Sequence, residues 1–146
     1  MNTSSPAAPT PGGDRSASAE SAFAQGEQRE QEGDPAGATT AFQRALESGD
    51  PGYAPRAALR LGAMSWEKGD LAGAATLFQR AVDSGHADVV PGAAAYALGE
   101  LLDKQGDVTG AAAAYQIAID SGDPDLAQKA QGKLKRLKRS GWWRRH

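Results

Sequence analysis

Apolar residues recur along this chain at intervals of three and four. One series of stripes reads Ala38, Phe42, Ala45, Leu46, then Leu71, Ala74, Phe78, Ala81, Val82, then Val108, Ala111, Tyr115, Ala118, Ile119. Each set falls on one face of a helix, and none alternates with the period of two that a strand needs. A second series precedes it: Ala19, Ala22, Phe23, Gly26, then Ala58, Leu61, Gly62, Ser65, then Ala95, Leu98, Gly99, Leu102. A last stripe, Leu126, Ala130, Leu134 and Leu137, follows Asp123-Pro124 and predicts a helix ending near Arg139.

The breaks between stripes carry the same few residues each time. Gly33-Asp34-Pro35, Gly69-Asp70 and Gly106-Asp107 separate the first helix of each pair from the second. Glycine suits the left-handed position that ends a helix, aspartate caps the next one, and proline fits its first turn. Ser48-Gly49-Asp50-Pro51, Ser84-Gly85-His86 and Ser121-Gly122-Asp123-Pro124 close the pairs. The turns are short, which predicts antiparallel neighbours. Pro55 and Pro91 belong in first turns of their helices, and the first helix of the chain is expected from about Ala17 to Glu32.

These pairs are copies of one another. Gly62, Gly69, Ala74, Phe78 and Ala81 are preceded at 36 residues by Gly26, Gly33, Ala38, Phe42 and Ala45, and followed at 37 by Gly99, Gly106, Ala111, Tyr115 and Ala118. Such a period marks a stack of supersecondary units, each burying too little alone and needing its neighbours.

The ladder of small residue, glycine, alanine, aromatic and alanine over residues 18–122 resembles the tetratricopeptide-repeat (TPR) family or the closely similar Sel1-like kind. The resemblance implies an all-α, right-handed α-solenoid of three TPR-like helical hairpins plus a C-terminal capping helix. The expected organisation is a disordered tail over 1–16, repeats over about 17–50, 51–86 and 87–122, a cap over 123–139 and a basic, aromatic tail over 140–146. In the family the first glycine lets two helix backbones approach. The first helices line a concave groove that holds a peptide, and this pattern nominates Glu20, Phe23, Glu27 and Glu30, then Arg56, Leu59, Ala63 and Trp66, then Tyr96, Glu100 and Asp103. Aromatic anchors concentrate binding energy in such grooves. The acidic members suggest a basic ligand or simply a solvated helix face. Chaperone-binding members carry Lys, Asn and Arg where this chain has Phe23, Glu27, Arg60, Ala93 and Ala97, so the carboxylate clamp does not carry over.

Composition removes other classes. The chain has no cysteine, so thiolate metal sites and disulfides are out. His86 and His146, its only histidines, have no acidic or hydroxyl partner at a spacing that suggests a site, and His86 stands where sister turns have Asp50 and Asp123. The glycines recur with the repeat and form no phosphate loop. No enzyme, cofactor or metal is expected. Residues 1–16 contain Pro6, Pro9, Pro11, Gly12 and Gly13 and no apolar run, which reads as a disordered segment of a cytoplasmic protein.

Charge adds one more feature. Residues 1–125 hold all 18 acidic groups and 8 of the 16 basic ones, net −10, and the last 21 residues hold the other 8, net +8. The basic end can be the solvated side of a cap, with Lys129, Lys133, Lys135 and Lys138 turned to water. Alternatively, Trp142, Trp143, Arg144 and Arg145 bind an acidic, aromatic-bearing groove of this chain or a second copy. The third option is that residues 126–146 bind nucleic acid or an anionic membrane surface. The primary expectation is a protein-interaction module, adaptor or scaffold, for a protein or peptide partner held in the groove.

Overall fold

A computed structural model describes residues 11–84 and 89–140. Among these residues there are seven helices and no strand: α1 (Pro11–Gln31), α2 (Pro35–Glu47), α3 (Tyr53–Glu67), α4 (Leu71–Val82), α5 (Val89–Lys104), α6 (Val108–Ile119) and α7 (Pro124–Arg139). The fold class is all-α and built of helical hairpins, as the periodicity predicts. The chain divides after Ala54 into two compact units.

In the first unit α1 and α2 pair antiparallel around Phe42, which is fully buried. Its ring lies 5.3 Å from that of Phe23, and Phe23 in turn lies 5.8 Å from Tyr53. Ala19, Ala22, Ala38, Ala41, Ala45 and Leu46 are buried with them. Small side chains dominate it, so the aromatic rings supply most of the buried area. The helix begins at Pro11, ahead of the expected Ala17, and this corrects the disordered reading for residues 11–16. Proline is pre-set for a first helical position, where its missing N–H costs nothing. Residues 1–10 lie outside the described residues.

The α1–α2 turn shows how the Gly-Asp pairs work. Gly33 has φ 74°, its N–H bonds to Glu30 O at 3.1 Å, and the Asp34 N–H bonds to Arg29 O at 2.9 Å. This pattern satisfies the orphan carbonyls at the end of α1. The Asp34 carboxylate then accepts the Gly37 N–H at 2.9 Å and caps α2. Gly69-Asp70 and Gly106-Asp107 repeat every element, with φ of 83° and 82° and caps onto Gly73 and Gly110 at 2.9 Å. Gly37, Gly73 and Gly110 are not part of the expected ladder. A Cβ at any of them would meet its capping carboxylate, which explains a second glycine four residues after the first.

The second unit holds most of α3 and all of α4 to α7. One cluster joins Phe78 and Ala74 of α4 to Leu98 and Leu101 of α5 and Ala114 of α6, with Leu59 and Trp66 of α3 against its edge. The next joins Ala95 of α5, Ala111, Ala112, Tyr115 and Ala118 of α6, and Ala130 and Leu137 of α7. Val82 and Leu102 touch both, so the core is continuous through the unit. Pro55 and Pro91 each sit third in their helices, within the first turn.

The ladder glycines act differently from expectation. A Cβ on Gly26, Gly62 or Gly99 would stand 2.5, 2.6 or 2.6 Å from a ring carbon of Phe42, Phe78 or Tyr115. What the missing side chain admits is an aromatic ring from the partner helix, and not a second backbone.

Candidate interaction surface

In the second unit α3, α5 and α7 bring most of the nominated residues onto adjoining helices. Arg56, Leu59, Ala63 and Trp66 recur at three and four along α3, so they share a face. Arg56 and Ala63 are exposed, and Leu59 and Trp66 are half-buried. Trp66 leans its ring on Phe78, edge to face at 6.2 Å, and Lys104 of α5 places its Nζ 5.3 Å from the indole centre. The indole is thus fixed from beneath and flanked by a cation, with part of its surface still open.

On α5, Tyr96, Glu100 and Asp103 are all half-buried. Tyr96 packs at 5.9 Å from Tyr115. Its phenol is raised above the usual value, first by burial and then by the charge of Glu100. Neither Glu100 nor Asp103 waits for a ligand. Arg136 of α7 donates to Asp103 at 2.8 Å, and Lys133 approaches Glu100 to 4.0 Å. This corrects the expectation that Lys133 turns to water, and it removes the acidic groove at α5. Lys129, Lys135 and Lys138 are exposed. α7 therefore stands beside α5 as a further first helix would, with a basic edge matched to an acidic one.

Beneath this contact, the Tyr115 hydroxyl is buried with no hydrogen-bond partner. Burial, followed by the charges of Asp103 and Glu100, holds its phenol far above the ordinary range. The equivalent residues Phe42 and Phe78 carry no such group.

In the first unit the nominated residues do not form an aromatic docking face. Phe23 is only 8% exposed and is spent on Phe42 and Tyr53, so it is a core residue and offers no anchor. Its position on the inner face of α1 was ambiguous in a helix whose other apolar residues are alanines. Glu20 is exposed, and Glu27 and Glu30 are half-buried. Trp142, Trp143, Arg144 and Arg145 lie outside the described residues, as does His86. No group of three or more His, Cys, Asp or Glu among the described residues could hold a metal ion.

Three contributors were missed by reading the sequence: Lys104, Lys133 and Arg136. A signal existed for the last two. Lys133 and Arg136 are three apart on α7, as Glu100 and Asp103 are on α5, and equal spacing of opposite charges lets two helices pair side by side.

No curated protein matches this chain. Among solved structures it is similar to the N-terminal domain of stress-induced protein-1 (STI-1) from C. elegans, with 18% identity, a TM-score of 0.67, and coverage of 83% of this chain and 97% of that one. At that identity the likeness concerns the fold. The tetratricopeptide repeat-like domain family matches residues 15–139, which is nearly the whole described chain. With the repeated ladder, the hairpins and this match in agreement, the chain belongs to the tetratricopeptide repeat-like family.

Proposed function

We propose that the chain is a protein-interaction module, an adaptor or scaffold, that takes a peptide or protein segment on the face of α3 and α5 around Trp66. The observation that carries this reading is the indole itself: half-buried, braced by Phe78 and beside Lys104, with exposed Ala63 and Arg56 on the same face. A rigid aromatic surface next to a small residue is a favourable anchor site, because the bound side chain orders little that is not already ordered. With Glu100 and Asp103 engaged by α7, the segment that suits this face is apolar and extended more than strongly basic. The reading needs no cofactor or catalysis, and a cytoplasmic location is part of the proposal. Among the described residues no helix is long and apolar enough to cross a membrane.

The test uses two substitutions with different structural risk. Ala63→Arg adds bulk to an exposed position and should abolish capture of partners that wild-type chain retains, with helicity and melting unchanged. Trp66→Ala should do the same at some cost in stability. Retention of every partner by both variants would remove the face from consideration. The alternative, binding of nucleic acid or an anionic membrane through residues 126–146, has Lys133 and Arg136 already committed against it. It predicts affinity for DNA or anionic vesicles that falls steeply with salt.

A further inference from the structure

The second unit has another groove, away from the Trp66 face, and its best-matched occupant is in the same sequence. It is an open groove of about 810 Å³ between α4 and α5, with Ala75, Leu98 and Leu102 as apolar floor and Arg80, Asp83 and Asp107 on its rim. Asp83 closes α4, and Asp107 opens α6, so two carboxylates flank apolar surface.

The chain leaves the described residues at the same end of the unit as Asp107. Arg136 is bonded to Asp103 at 2.8 Å, which fixes the last turn of α7 beside the last turn of α5. Asp107 follows α5 directly, its N–H bonded to Leu102 O at 2.9 Å. Ser140 is one helical turn beyond Arg136 and therefore at the same end of the unit as Asp107. Residues 141–146 read Gly-Trp-Trp-Arg-Arg-His, and six extended residues reach about 20 Å. That exceeds the width of one helix, about 10–12 Å, and α6 is the helix on which α7 packs.

We propose that Trp142 to Arg145 fold back across the start of α6 and fill this groove in cis, indoles on Ala75, Leu98 and Leu102, guanidinium groups at Asp83 and Asp107. Charge and polarity match in kind, aromatic rings for the apolar floor and guanidinium groups for the carboxylates. Paired indoles left in water would expose a large apolar area, and the groove removes it. Arg80 on the same rim opposes the tail's charge, so the two carboxylates and the apolar floor must outweigh one cation. The groove is thereby a site for aromatic, basic segments, and an incoming partner of that chemistry would compete with the tail. This site does not depend on the role proposed for Trp66.

Fluorescence tests it, because Trp66 is the only other tryptophan. In a Trp66→Phe chain, emission reports the tail alone. Docking predicts a blue-shifted maximum and acrylamide quenching several-fold weaker than in the free peptide Gly-Trp-Trp-Arg-Arg-His. Asp83→Lys and Thr76→Lys, both at exposed positions on the groove, should return both signals toward those of the peptide. Quenching equal to that of the free peptide would overturn the proposal. So would protection that neither groove variant relieves, or protection lost on dilution, which would mean a tail supplied by a second copy. Should Trp66→Phe fail to fold, the difference between wild type and Trp142→Phe/Trp143→Phe gives the same readout.

Discussion

The ring of Phe78 stands where a side chain on Gly62 would be: a Cβ built there lies 2.6 Å from Cε1. Gly62→Ala must therefore displace a ring that is 1% exposed. Overpacking of this kind costs about 1–3 kcal/mol, which outweighs the gain of at most about 1 kcal/mol from replacing a helical glycine. Gly132 in α7 has nothing within 4 Å, so Gly132→Ala should stabilise by about 0.5–1 kcal/mol. Urea denaturation checks both, as midpoint shifts of opposite sign with an unchanged slope.

Tyr115→Phe should stabilise the chain by about 1 kcal/mol or more, since it deletes a buried hydroxyl without a partner and keeps the ring. The same substitution has a pH signature. The folded phenol titrates above its ordinary value, so its neutral form is favoured in the folded state and the unfolded chain ionises first. Stability is then unaffected by this group below about pH 10 and falls above it, by at most about 1.4 kcal/mol per pH unit. Denaturation series on either side of pH 10 should show a shallower alkaline loss in Tyr115→Phe, with Tyr96 contributing part of what remains.

Asp70→Ala should cost about 1 kcal/mol by leaving the Gly73 N–H uncapped. Gly73→Ala should also destabilise, because its methyl would collide with the Asp70 carboxylate and push it off the cap. Both act through one cap, so the double variant should lose less than the two separate losses combined, a non-additivity that a double-mutant cycle reads directly.

The hold of α7 on α6 and α5 rests on apolar contact more than on charge. The Asp103–Arg136 pair has its arginine largely exposed and contributes about 1 kcal/mol or less. Leu137, 5% exposed, should cost about 2 kcal/mol or more as Leu137→Ala. Hydrogen exchange along α7 should accelerate strongly in Leu137→Ala and only slightly in Asp103→Asn.

Fold was legible in this sequence because the helical period, the Gly-Asp breaks and the repeat all gave the same elements. The capping roles of Asp34, Asp70 and Asp107 could be read directly, since a cap is local and involves residues three apart. What escaped was the rotation of each helix against the next. Phe23 and Leu59 hold the same place in the repeat, yet one is core and the other half-buried, because alanine-rich faces do not say which side turns inward. The partner of Gly62 was hidden for the same reason. The helical start at Pro11 could not be seen past two following glycines, which weigh against a helix on propensity alone.

Gln128, Lys129, Gln131, Lys135, Lys138 and Arg139 are all exposed along the outer side of α7. Without that helix, Ala112, Tyr115 and Ala118 would lose the side chains of Ala130 and Leu137 that cover them. That would leave an apolar plate in water, a liability for association. A single amphipathic rod laid over that plate exchanges it for a hydrophilic face.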